Sequence, residues 1–220
     1  MNVYERTQQR LKTVFDLFDN VYVSFSGGKD SGVLLNLCYN YADEHGLLDK
    51  LTMYHLDYEA QYQMTTEYVT RTFLEQFPGI RKMWYCVPIK AQSACALGEP
   101  YWTPWDAAKK KLWVRAMPEN PYVVHEGNLD VPFRHGMVDY EFQDKLSRHF
   151  AKKRGTTAVM VGLRADESLN RYAAVARGKK RRSYEGRKWI TQTSAVTANV
   201  YPLYLSLIHI SEPTRLQLIS

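Results

Sequence analysis

The residues best suited to chemistry stand together at Ser24-Phe25-Ser26-Gly27-Gly28-Lys29-Asp30-Ser31. Two adjacent glycines let a chain turn sharply at positive φ and let an anion approach the main chain. The segment follows Val21-Tyr22-Val23-Ser24-Phe25, an alternating β-branched and aromatic run that predicts a strand. It precedes Gly32-Val33-Leu34-Leu35-Asn36-Leu37-Cys38, whose spacing predicts a helix running to about Glu44. A loop that feeds a helix start offers unpaired N–H groups and the positive end of the helix dipole to an anion. Ser26 and Ser31 add hydroxyl donors, and Lys29 adds a mobile charge suited to phosphate. Asp30 is the odd member, since a carboxylate repels phosphate. It is accounted for if it holds a divalent cation bridging phosphate oxygens, or if it caps the helix. The spacing matches neither G-x4-G-K-S/T nor G-x-G-x-x-G.

The elements around this loop alternate. Residues 5–19 carry Leu11, Val14, Phe15 and Phe18 at helical spacing, and strands are predicted at 21–25, 51–56 and 81–87, with a helix over about 60–76. After an interruption the rhythm resumes with a helix over 140–154, a strand over 156–161, a turn at Gly162-Leu163-Arg164, a helix over 166–176 and a strand over about 198–203. This order predicts an α/β fold with a parallel sheet covered on both faces. The interruption, at about 98–136, holds Pro100, Pro104, Pro118, Pro121 and Pro132 among aromatic residues. It reads as an irregular insertion with a short helix near 105–116, and loops of that length in a compact domain usually serve function.

Composition bounds the rest. The chain has 220 residues, 45% hydrophobic and 24% charged, which excludes a disordered or fibrous protein. No apolar run approaches the roughly 18 residues of a spanning helix, and the opening Met1-Asn2-Val3-Tyr4-Glu5-Arg6 is polar within a few residues, so no signal peptide is expected there. Cys38, Cys86 and Cys95 are too few and too scattered for a disulfide framework or a four-cysteine metal site. A reduced, soluble, cytoplasmic protein without a membrane partner is expected. The net charge is +6, from 29 basic and 23 acidic residues. Residues 177–188 (RGKKRRSYEGRK) hold seven basic residues and one acidic, so the whole excess belongs to that segment. A concentrated basic stretch beside Tyr184 and Trp189 suits a polyanion, nucleic acid included, or a basic lid over a bound nucleotide.

Ser26-Gly27-Gly28-Lys29-Asp30-Ser31 resembles the pyrophosphate-binding loop, or PP-loop, of the adenine-nucleotide alpha hydrolase-like superfamily. Gly162-Leu163-Arg164-Ala165-Asp166-Glu167-Ser168, followed by Arg171, is similar to the second motif of the phosphoadenosine phosphosulfate reductase family, and the resemblance covers about residues 20–204. The wording YHLDYEAQY at 54–62 looks most like the branch that contains immunoglobulin-binding regulator A. The resemblance implies an open, mostly parallel five-stranded sheet with the nucleotide over the C-terminal strand ends. It implies that loop 26–31 holds the phosphate or sulfate end of the nucleotide, with Lys29 and Asp30 as catalytic candidates and Asp30 as the metal candidate. Asp57 would sit near ribose and adenine, Gly162 would let the backbone approach the nucleotide, and Arg164, Glu167 and Arg171 would contact its anionic end.

The implied substrate is ATP or adenylyl sulfate. Mg²⁺ is expected for ATP chemistry and dispensable for sulfate reduction, and a thiol or sulfur donor protein is the implied partner. Two departures bear on the reaction. The C-terminal Glu-Cys-Gly-type motif of assimilatory reductases is not seen, and the cysteines lack the pairing of iron–sulfur versions, so no iron–sulfur cluster is expected. Two alternatives to adenylyl-sulfate reduction follow. One is attack on the ATP α-phosphate for sulfur transfer. The other is a regulator that binds nucleotide or nucleic acid without turnover. Residues 205–220, from Leu205-Ser206-Leu207-Ile208-His209-Ile210, resemble the translated read-through of a sequencing-library adapter. They are set aside as a non-native tail. Residues 1–204 then form one nucleotide-binding domain, expected to be truncated at its C-terminus.

Overall fold

The alternation of buried residues along single strands determines how this chain folds. Val21, Val23 and Phe25 point to one face of a sheet and Tyr22 to the other, and both faces are buried. In the computed structural model, residues 2–93, 98–164 and 183–204 are described. Their elements are α1 (Val3–Leu17), β1 (Asn20–Ser24), α2 (Lys29–Glu44), β2 (Leu51–Leu56), α3 (Gln63–Glu75), β3 (Arg81–Cys86), β4 (Ala91–Gln92) and β5 (Tyr101–Trp102). Then come β6 (Val123–His125), α4 (Asp139–Arg154), β7 (Thr157–Val161), β8 (Ser183–Tyr184), β9 (Arg187–Gln192) and β10 (Thr197–Val200).

The main sheet has the order β6-β3-β2-β1-β7-β10-β9-β8. The first six strands are parallel, and β9 and β8 add an antiparallel hairpin at the far edge. On one face, Leu11, Val14 and Phe15 of α1, Leu34, Leu35 and Cys38 of α2, and Val69 and Phe73 of α3 pack on Val21, Val23, Met53, Trp84 and Met160. On the other, Phe142, Leu146 and Phe150 of α4 join Tyr22, Tyr54, Tyr85 and Val159. Tyr22 stacks between Tyr54 and Phe150, with ring centroids 4.2 and 4.8 Å away.

The open, mostly parallel sheet with helices on both faces is therefore present, and all five expected strands are in it. It is wider than expected, because β6 from the insertion and the hairpin β8–β9 extend its two edges. The hairpin turns at Glu185 and Gly186, both at positive φ (48° and 77°), as a two-residue turn of matching twist requires. The insertion is mostly irregular, and a 3-10 turn at Ala107–Leu112 stands where a short helix was expected. No helix among the described residues is long and apolar enough to cross a membrane.

Sequential strands β1, β2 and β3 step one way across the sheet, while β7 and β10 step the other. The reversal lies between β1 and β7, which pair from Asn20↔Thr157 to Ser24↔Val161. Open α/β sheets bind ligands in the crevice beyond the carboxyl ends of strands at such a point. Loop 26–31 leaves β1 there, and Gly162 leaves β7 beside it.

Candidate active site

The loop takes its shape from four contacts. Ser31 Oγ donates to the Gly28 carbonyl (2.8 Å) and accepts from Ser26 N–H (3.2 Å). The two hydroxyls of Ser26 and Ser31 lie 3.0 Å apart, and Gly28 N–H points at Ser26 Oγ at 3.3 Å. The serines expected as donors to an anion thus brace the loop internally. Gly27 sits at φ +80°, and a Cβ there would stand 2.7 Å from Val69 Cγ2 and 2.8 Å from Thr65 Cγ2 on α3. Only glycine meets both the torsion and the space.

Gly28 is the N-cap of α2, and no side chain caps the helix. Ser26, Gly28 and Lys29 are exposed at the positive end of a 16-residue helix, and among the described residues no side chain takes the N–H groups of Lys29 and Asp30. Among the described residues Lys29 has no hydrogen bond or ion pair. The donors offered to an anion are main-chain N–H groups and the Lys29 ammonium.

Gly162 brings β7 against this turn. A Cβ there would lie 2.9 Å from both Asp30 O and Ser31 N, so its lack of a side chain serves contact between the β7 exit and the start of α2. Two residues on, Arg164 Nε lies 3.4 Å from Asp30 Oδ2, with both side chains largely buried. Asp30 thus neither caps α2 nor stands alone; it faces a guanidinium. Among the described residues no group of three or more His, Cys, Asp or Glu is placed to hold a metal ion. One carboxylate already opposed by Arg164 does not fit a resident metal, whereas Mg²⁺ carried on nucleotide phosphates takes its oxygens from the substrate.

Asp57 stands at the end of β2, where it was expected, but its side chain is taken up by the protein. Its side chain is wholly buried at the end of β2. Oδ2 accepts from Trp84 Nε1 (2.7 Å), Oδ1 accepts from Glu59 N–H (2.8 Å), and Arg115 Nη2 reaches both oxygens at 2.6 and 2.7 Å. A carboxylate so occupied is not presented to a ribose. Glu59, at φ +64° and buried, accepts from the N–H groups of Trp105 (2.9 Å) and Val114 (2.7 Å). Trp105 Nε1 and Arg115 Nε reach the carbonyls of Asp57 and Glu59, each at 2.9 Å. The Asp57-Tyr58-Glu59 turn is the anchor that fastens the insertion to the sheet. Arg115 was not anticipated: in Lys109-Lys110-Lys111-Leu112-Trp113-Val114-Arg115 nothing sets it apart from three neighbouring lysines.

His55 braces the strand that carries the loop. Its Nδ1 lies 2.7 Å from the Phe25 carbonyl, so Nδ1 bears the proton. Burial holds its pKa below the ordinary imidazole value, with the Asp57 charge opposing. A depressed histidine pKa stabilises the fold fully above the unfolded value and loses that contribution as pH falls through the folded one. Stability measured by urea unfolding is expected to fall between pH 7 and pH 5.5, and to fall less in His55→Gln. An equal fall in both proteins contradicts the assignment.

Cys38 and Cys86 are buried in the core, as expected, and burial pushes both thiols far up. Neither is expected to react with a thiol reagent in the native protein, while both react after unfolding. Rapid native labelling at either position, read by mass spectrometry, contradicts this. Cys95, Glu167, Arg171, residues 177–182 and the tail 205–220 lie outside the described residues. Tyr184 packs on Phe18 at 5.5 Å between ring centroids, and the Arg10 guanidinium lies 5.9 Å from the Trp189 ring centroid. These rings are engaged in packing, which weakens the case for base stacking beside the basic segment.

Residues 20–204 match the family model described as the phosphoadenosine phosphosulfate reductase domain. The chain is 30% identical over 207 residues to the uncharacterized protein YbdN of Escherichia coli (strain K12), covering 93% of this chain and 49% of that protein. It therefore spans about half the length of that curated relative. Among solved structures, phosphoadenylyl-sulfate reductase from Candida auris, in a phosphate complex, aligns over 96% of this chain and 78% of that one, at 13% identity and TM-score 0.46. The U34-tRNA thiolase NcsA from Methanococcus maripaludis, with its 4Fe-4S cluster, aligns over 91% and 59%, at 16% identity and TM-score 0.42.

Proposed function

The chain belongs to the phosphoadenosine phosphosulfate reductase domain family, and from that premise we propose that it is an adenine-nucleotide-binding enzyme acting at the phosphate or sulfate end of an adenylyl substrate. The observation that carries this reading is the uncapped, exposed start of α2 at the reversal of strand order. The main-chain N–H groups of Lys29 and Asp30 receive an oxyanion, and the Lys29 ammonium adds a charge free to follow it. Gly27 and the two serines hold the loop open. Arg164, held by Asp30, lies next to the same helix start and neutralises charge that develops on a leaving group. Glu167 and Arg171 join the site on the strength of the motif alone.

The leading reaction is reduction of an adenylyl sulfate. A thiolate attacks the sulfate sulfur, and the nucleotide leaves with the bridging oxygen. A second thiol then releases sulfite and closes a disulfide, supplying two electrons in all. With Cys38 and Cys86 buried, the thiols come from a donor protein or from outside the described residues. That same burial favours a second reading, attack of a nucleophile on the ATP α-phosphate with departure of pyrophosphate, in which no thiol of this chain takes part.

Calorimetry with adenylyl sulfate, its 3′-phosphorylated form and ATP, each with and without Mg²⁺, tests the proposal. Binding of an adenylyl sulfate without Mg²⁺ is the expected result. Binding of ATP alone, dependent on Mg²⁺, selects the second reaction, and binding of none overturns both.

A further inference from the structure

A second basic site lies at the other end of the sheet. A cavity of about 460 Å³ opens between the start of β3 and the C-terminal half of α4, under Tyr122, Asp130 and Val131 of the insertion. It lies at the amino ends of the strands, whereas loop 26–31 lies beyond their carboxyl ends. Its volume is in the range of small-molecule sites.

The walls are of two kinds. Tyr85, Leu146 and Phe150 are buried and apolar, with Met83 beside them. The rim carries Arg81, Lys82, Lys153 and Arg154 against a single carboxylate, Asp130. Asp130 is already engaged, 2.6 Å from Lys153 Nζ and 3.5 Å from His149 Nε2. Among the described residues it forms no ion pair with either arginine. Among the described residues neither Arg81 nor Arg154 forms an ion pair within 4 Å, and the Asp49 charge acts on Arg81 only from farther away. Arg81 gives one N–H to the Asp49 carbonyl (2.7 Å), and the Arg154 guanidinium lies 5.5 Å from the Phe150 ring centroid. Burial depresses Arg81 and the neighbouring Arg154 charge depresses it further, while the Asp49 charge opposes both.

Two guanidiniums that line one cavity above an apolar floor, neither of them ion-paired within 4 Å among the described residues, are stabilised by an anion that also covers the floor. We propose that this cavity binds a small organic anion. Its flat apolar body lies on Met83, Leu146 and Phe150, and its phosphate or carboxylate bridges Arg81 and Arg154. The inference is independent of the nucleotide site.

The test is calorimetric titration of the 220-residue chain with 1-naphthyl phosphate, and separately with inorganic phosphate. Saturable binding of the naphthyl ester, at least tenfold tighter than that of phosphate, is expected. Arg154→Gln and Arg81→Gln should each weaken it tenfold or more, with unchanged circular dichroism, while Lys29→Ala leaves it unaltered. Two arginine variants guard against one that fails to fold. Absence of saturable binding overturns the proposal, as do equal affinities for the two probes, indifference to both arginine substitutions, or loss in Lys29→Ala.

Discussion

Truncating Arg115 to alanine is expected to lower the free energy of unfolding by about 3–5 kcal/mol, the cost of leaving one member of a buried ion pair without its partner. The Asp57 carboxylate is completely shielded from water, and one arginine nitrogen touches both its oxygens at 2.6 and 2.7 Å. Trp84 Nε1 and the Glu59 N–H remain after the truncation, yet two neutral donors do not replace a cation against a buried charge. The same guanidinium also holds the Glu59 carbonyl, and Glu59 in turn receives Trp105 and Val114. Loss of Arg115 therefore loosens the insertion as well as exposing Asp57. Urea unfolding measures the stability loss, and limited proteolysis within 98–136 reports the loosening. The double variant Asp57→Leu with Arg115→Leu should lose less than Arg115→Ala alone, because no charge is stranded. A single-variant loss below about 1 kcal/mol would show that the pair is not a structural anchor.

Gly27→Val carries the second large effect. The residue must adopt φ +80°, which costs a side-chain-bearing residue roughly 1–2 kcal/mol, and it must fit methyl groups where Val69 and Thr65 already stand within 2.8 Å of its Cβ position. Overpacking of that kind adds about 1–3 kcal/mol. The loop can escape only by moving off α3, and that takes the helix start with it. Nucleotide binding is expected to disappear while the rest of the sheet folds. Gly28→Ala is the informative contrast. Its Cβ would be 3.3 Å from Ser26 Oγ alone, at an ordinary φ of −83°. That variant should melt like the wild type and bind the nucleotide more weakly, because the methyl group stands where the anion approaches. Equal binding by both variants and the wild type contradicts the cradle.

Local signals in the sequence recovered the elements that build the site. The change from a period of two in Val21–Phe25 to a helical period after Ser31 brackets the loop, and the same logic placed β2, β3, α4 and β7. Shorter or masked signals were lost. β6 is three residues, Val123–His125, among prolines, too short for any periodicity to register. The hairpin β8–β9 hid inside a basic segment whose charge drew attention from Glu185-Gly186, although a residue followed by glycine between strand-like runs is a turn signal.

The partnerships were harder still. Asp30 and Arg164 were each singled out, but a contact spanning 134 positions leaves no mark on either neighbourhood. The Asp57 partnership leaves no local signal, because a strand-end aspartate looks the same whether it faces a ligand or an arginine 58 residues away. The serine hydroxyls of the glycine-rich turn likewise show nothing in the sequence of the hydrogen bonds they make within it.

The central claim is that the start of α2 receives an oxyanion on its own main-chain N–H groups. Titration of the ¹⁵N-labelled protein with inorganic pyrophosphate, followed by amide chemical shifts, addresses it most directly. The predicted result is saturable shifts concentrated at residues 27–31 and 162–164, abolished in Gly27→Val. Shifts that centre on another surface, or that leave Gly28, Lys29 and Asp30 unmoved at saturation, would contradict it.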